Sequence, residues 1–88
     1  HRIAGGGAEA MEFTVGPSTR HLGTALKDLK LRPGVLLAVI VRKNDIIIPQ
    51  GSSFLQEGDR VIIIARGSGV LDLNDIYSSE SVGGGAAK

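Results

Sequence analysis

The sequence predicts an α+β fold, a small domain of order β-α-β-β-β-α in which a mainly antiparallel sheet packs against short helices. Three observations predict it. Two aliphatic runs, Val35-Leu36-Leu37-Ala38-Val39-Ile40-Val41 and Val61-Ile62-Ile63-Ile64-Ala65, have strand length and are rich in β-branched residues. Met11, Phe13 and Val15 alternate with Glu12 and Thr14, the pattern of a strand with one wet face. Leu22, Ala25, Leu26 and Leu29 recur at i, i+3, i+4 and i+7, which places one apolar stripe on a helix.

In order along the chain, the strand at residues 11–15 ends at Gly16-Pro17-Ser18, and the helix that follows closes at Pro33-Gly34. Strand 35–42 turns back through Lys43-Asn44 or Asn44-Asp45, because Asn and Asp tolerate the positive φ of a tight hairpin turn, and pairs with 45–49. Pro49 has no amide hydrogen and belongs at a strand end or edge. Gly58 and Asp59 suit the turn before strand 61–65, with Gly58 taking a backbone conformation most residues avoid. A last helix runs from Val70 to Tyr77, with Ser68 as its N-cap and Val70, Leu73 and Tyr77 on one face. Strands 35–41 and 61–65 are apolar on both faces, so helices of this chain or a second copy must cover them.

The division expected is a flexible N-terminal segment at 1–7, one folded domain at 8–77 and a flexible tail at 78–88, since both ends carry glycine triplets and no periodic apolar face. Ten Lys and Arg against nine Asp and Glu leave a net charge of +1 without a run of one sign, which argues against nucleic acid and anionic membrane as partners. Phe13, Phe54 and Tyr77 are too few for base stacking. The absence of Cys excludes thiolate metal sites and cysteine catalysis, and fits a reducing cytoplasm. The longest apolar run has seven residues, too short to insert into a membrane.

Leu22-Gly23-Thr24, Leu31-Arg32-Pro33-Gly34-Val35, Ile40-Val41-Arg42, Ile47-Ile48-Pro49 and Leu55-Gln56-Glu57-Gly58-Asp59-Arg60-Val61 together resemble the C-terminal domain of TrkA, the RCK_C family, over residues 9–77. The resemblance implies a regulatory, ligand-sensing and dimerisation domain of a cytoplasmic potassium transport subunit. It implies a homodimer formed through the sheet and, through the parent protein, a membrane potassium channel or transporter subunit as partner. The alternative is a dimerisation or ligand-binding module of an antiporter or of a transcription regulator. No cofactor is expected in this fragment. Cyclic di-adenosine monophosphate (cyclic di-AMP) or another small anion, held between two copies, is the ligand the family implies.

The candidate ligand-binding set is Arg42, Asn44, Leu36, Leu37, Ile48 and Pro49. Arg42 ends an apolar strand beside Asn44, and its guanidinium geometry suits a phosphate or a base edge; the plain alternative is a solvated hairpin residue. Leu36 and Leu37 would floor the cleft, or else simply fill the core. Relatives that hold the cyclic dinucleotide use polar side chains on the second hairpin strand, whereas this sequence has Ile46-Ile47-Ile48. An enzyme is not expected, because no Ser has a base in a recognisable arrangement, and no metal is expected, because His21 has no second ligand at helix spacing. Gly67-Ser68-Gly69, ahead of the last helix, is a second place for an anion. Asp72 and Asp75 read as surface carboxylates.

Overall fold

A computed structural model describes residues 2–3, 7–67 and 70–78. Five strands form one antiparallel sheet: β1 (Arg2–Ile3), β2 (Ala8–Thr14), β3 (Val35–Arg42), β4 (Asp45–Ile47) and β5 (Arg60–Arg66), in spatial order β1-β2-β5-β3-β4. The two aliphatic runs are neighbours, as β3 and β5, and β5 lies between β2 and β3. That central place accounts for the buried Val61, Ile63 and Ala65 of β5, while Ile62 and Ile64 face outward.

The directly paired residues of an antiparallel ladder share a face, so the register sorts the side chains. Phe13, Val61 and Ile40 form one row and Met11, Ile63 and Leu37 the next, all on the inner face. Ile40, Val61 and Ile63 are fully buried there, packed beneath Val15, Leu55, Val70, Leu73, Ile76 and Tyr77. Strand β3 carries a bulge between Leu37 and Val39. Ala38 is the extra residue, and it reverses the alternation so that Leu37 and Ile40, three apart, both face inward.

Both expected helices shrink to single 3₁₀ turns. The stripe from Leu22 to Leu29 predicted an α-helix, but only Leu26–Asp28 is helical. The amides there are drawn elsewhere: Gly23 N–H donates to Leu55 O at 3.0 Å, Leu26 N–H to Ser53 O at 2.8 Å and Lys27 N–H to Gly51 O at 2.9 Å. His21, at φ 65°, also lies outside the helical region. A stretch this short has little helical stability of its own, and lateral bonds to 51–55 satisfy its backbone instead. Leu26 and Leu29 still pack on the core, while Leu22 is exposed.

Only Leu73–Ile76 of the second expected helix is 3₁₀. Its N-cap is Asp72; the Ser68 cap expected from sequence lies outside the described residues. Asp72 accepts from Asn74 N–H at 3.0 Å, and Asp75 accepts from the N–H groups of Asp72 (3.0 Å) and Leu71 (2.9 Å), a capping box made of two aspartates. These bonds, that from Leu71 first, hold the Asp75 carboxyl below its usual pKa. The face named from sequence, Val70, Leu73 and Tyr77, is buried.

The turns differ from expectation in one detail. Between β3 and β4 the left-handed residue is Lys43, at φ 57°, and not Asn44 or Asp45. Strand β4 stops at Ile47, two residues before Pro49. At the next turn Gly58 has φ +96°, and both Gly58 and Asp59 face Val15: Gly58 N–H donates to Val15 O and Val15 N–H to Asp59 O, each at 2.8 Å. This is a glycine bulge.

Opposite outcomes follow for the two turns. Gly58→Val is expected to cost about 1–3 kcal/mol, through backbone strain alone, because no atom lies within 4 Å of the added Cβ. Lys43→Gly relieves a left-handed side chain and is expected to stabilise by about 1 kcal/mol, a rise in Tm of roughly 4–8 °C. Thermal melts of the two variants check both signs.

Candidate functional site

Strand register brings the β3–β4 hairpin to the entrance of β5. Val41 pairs with Arg60, so the next residues outward, Arg42 and Asp59, meet at the end of the sheet. The guanidinium meets the carboxylate side-on: Nε donates to Oδ1 and Nη2 to Oδ2, both at 3.0 Å. Nη2 donates also to Phe54 O at 2.7 Å, and the guanidinium carbon stands 5.3 Å from the centre of the Phe54 ring. Asp59 is 2 % exposed and accepts a further bond from Gln56 N–H at 2.9 Å, while the Arg42 side chain is 27 % exposed. The carboxylate thus stabilises the charged guanidinium, raising the Arg42 pKa, chiefly through the hydrogen bond between them.

The six sequence-derived site residues are spread over both faces of the sheet. Arg42 and the exposed Asn44 share the hairpin end. Leu36 is 57 % exposed on the outer face, six positions away, which is about 20 Å at strand rise. Leu37 points the other way and is buried in the core. Ile48 is exposed just past the end of β4, and Pro49 is half-buried. A single copy therefore does not gather them into one pocket.

What sequence reasoning missed is the companion of Arg42. Asp59 was legible as a turn residue, and in the turn it accepts from Gln56 N–H, but its ion pair spans 17 positions. The available signal was a lone cation ending one apolar strand and a lone carboxylate opening another; it becomes a contact only once β3 and β5 are known to pair.

The outer face of the sheet also carries an apolar patch, beside Glu12, Thr14 and Arg60. Register places Ala10, Ile62, Ile64, Leu36, Val39, Val41 and Ile46 on it, none of them in the buried cluster. Ile62, Ile64, Val39 and Val41 are half-buried by their neighbours, and Ile46 is 71 % exposed. Leu36, at 57 %, is with Ile46 the most open position on it.

A groove of about 550 Å³ follows β2, lined by Ala10 to Phe13, Ile62, Val70 and Leu71, away from the hairpin end. On the inner side the loop before β3 is tied to the last 3₁₀ turn: Tyr77 OH donates to Arg20 O at 3.0 Å, Arg20 N–H to Asn74 Oδ1 at 2.8 Å, and the His21 and Tyr77 rings meet edge to face at 4.7 Å. Burial first, then the Arg20 charge, lowers the His21 pKa, which is the behaviour of a packed imidazole. Among the described residues no group of three His, Cys, Asp or Glu could hold a metal ion. The Gly67-Ser68-Gly69 entrance lies partly outside the described residues. No helix among them is long and apolar enough to cross a membrane.

The model of the TrkA-C domain family matches residues 10–77, nearly all of the described chain. The chain belongs to the TrkA-C domain family. Similar proteins carry the name Trk system potassium uptake protein TrkA homolog. Homolog 2 of Methanosarcina mazei is 32 % identical over 78 residues, 89 % of this chain and 17 % of that protein. The homolog of Archaeoglobus fulgidus is 36 % identical over 75 residues, 85 % of this chain and 17 % of that protein. This TrkA-C domain thus spans about a sixth of the length of those relatives. A solved structure described as an RCK domain with cda shares its fold, with a TM-score of 0.55 over 67 % of this chain and 80 % of the other, at 24 % identity.

Proposed function

We propose that this TrkA-C domain is a dimerising, ligand-sensing regulatory domain of a cytoplasmic, Trk-type potassium uptake subunit, acting on a membrane channel or transporter through its parent protein. The apolar patch on the outer face of the sheet supports the reading. Its aliphatic side chains, with Leu36 and Ile46 the most exposed, form a surface that a partner can cover. An isologous two-fold contact supplies such a cover with a second copy of the same patch. Two-fold packing is also the arrangement able to bring the Leu36 region of one copy toward the hairpin end of another, uniting candidate residues that one copy keeps apart.

The names of the relatives support potassium uptake as the setting, and the RCK structure with cda, read as cyclic di-AMP, supports an anionic dinucleotide as the ligand. The site proposed is Arg42 with Asn44, Leu36, Leu37, Ile48 and Pro49. The domain performs no chemistry in this reading; it converts ligand occupancy into a change in how two copies sit together. The folded unit of this reading is residues 8–77, to which β1 (Arg2–Ile3) adds an edge strand.

Sedimentation at micromolar concentration and calorimetric titration with cyclic di-AMP, with ATP and NADH as controls, test the proposal. The expected result is a dimer that Ile46→Asp dissociates, and binding that Arg42→Ala weakens about ten- to a hundredfold, the loss of one charge-assisted contact. A monomer at every concentration removes the assembly; no heat with any of the three nucleotides leaves an assembly module, the role expected in an antiporter or a transcription regulator.

A further inference from the structure

The side-on edge of the Arg42 guanidinium is already taken. Asp59 fills it with two bonds of 3.0 Å, Phe54 O takes the other hydrogen of Nη2, and Nη1 is the nitrogen that these two partners leave to a ligand. Asp59 cannot itself reach a ligand at the surface, because it is 2 % exposed and is further held by Gln56 N–H. From this geometry we infer that Asp59 is a positioning residue for anion binding: it fixes Arg42 so that Nη1 alone is presented, end-on, to one phosphate oxygen. The inference rests on the proposal that Arg42 contacts an anionic ligand, and it adds a residue and a contact geometry to that site.

Two consequences distinguish an end-on from a side-on grip. The ligand oxygen meets a guanidinium whose orientation is set before binding, so no side-chain freedom is lost at that step. Lysine cannot replace Arg42, since a single ammonium nitrogen cannot serve Asp59, Phe54 O and a phosphate with separate, fixed donors. The neighbouring carboxylate also neutralises part of the charge that draws the anion. At a position open to solvent that attraction is screened by salt, and the retained orientation outweighs it.

A double-mutant cycle in cyclic di-AMP titrations reads the role of Asp59. Asp59→Asn keeps an oxygen for Gln56 N–H but loses the two-oxygen, charged hold on Arg42, and is expected to weaken binding about five- to tenfold when Arg42 is present and not at all in the Arg42→Ala background. A residue that merely supports the fold weakens binding in both backgrounds, and that result overturns the inference. So does tighter binding by Asp59→Asn, which would make Asp59 a competitor of the ligand. A variant-free measurement accompanies the cycle: in NMR of the wild-type protein, the Arg42 Nε–H signal is expected to keep its position through the titration, whereas its displacement would show that ligand replaces the carboxylate. Wild-type protein that binds none of the three nucleotides overturns both this inference and the ligand-sensing reading beneath it; wild-type binding with equal losses in both backgrounds overturns this inference alone.

Discussion

Ile63→Ala is expected to cost about 3–4 kcal/mol and to lower the melting temperature by roughly 15 °C or more. Ile63 has no exposed surface, sits on the central strand β5 and is paired with Met11 on one side and Leu37 on the other. Truncation opens a cavity walled by two strands whose backbones are held by their ladders, so the space cannot easily close. A domain of this size has about 5–15 kcal/mol in total, so the variant stands near the edge of folding at body temperature. Ile62→Ala is the control. That side chain lies on the outer face, half-buried, and its loss is expected to change the melting of the monomer little while weakening the proposed dimer. Chemical denaturation of both variants, at concentrations above and below dissociation, checks the assignment of faces; equal destabilisation of the monomer by the two would contradict it.

The second large effect is expected at Asp59. Asp59→Ala removes the acceptor for Arg42 and for Gln56 N–H at once, inside a turn that already depends on the left-handed Gly58. Breaking a fully buried pair costs about 3–5 kcal/mol; Arg42 keeps access to water and to Phe54 O, which brings the expected loss to about 2–3 kcal/mol. The surface pair of Arg60 and Glu12, 3.4 Å apart with both side chains more than half exposed, is the comparison. Glu12→Ala is expected to cost less than about 0.5 kcal/mol, and 0.5 M salt to erase the difference. Urea melts at low and high salt separate the two cases: the Asp59 loss persists at high salt, and its disappearance would mean that the pair is no more than a surface contact.

Strands were the legible part of this chain. β-branched composition and two-residue alternation are local properties, and they marked β2, β3 and β5 without tertiary information. The 22–29 segment was misread for a specific reason. Its apolar spacing suits a helix and also suits a loop that leans Leu26 and Leu29 onto a core, and the choice was made by carbonyls at 51–55, which no local pattern reports. The capping role of the Asp72 and Asp75 carboxylates is not legible in sequence, because capping depends on where a turn begins, and Ser68 offers an earlier beginning. At the hairpin, Arg42 was legible as the one charge closing an aliphatic strand. Its partner was not, since pairing Arg42 with Asp59 requires the register of two strands and the count across a bulge.

That bulge sets which changes of length this domain can accept. Because Ala38 is the unpaired residue of β3, the number of paired positions between Leu37 and Arg42 decides which face the hairpin end presents. One residue more or fewer between Ile40 and Arg42 would carry Arg42 to the side of the sheet away from Asp59, whereas loss of Ala38 itself would leave Leu37, Ile40 and Arg42 facing inward in a regular ladder. The two-residue turn at Lys43-Asn44 is under no such restriction, as it lies beyond the last paired residues, Arg42 and Asp45. Sequences that share this fold can therefore be expected to vary in length at the hairpin tip and at the bulge, and to keep the Val39-to-Arg42 interval constant.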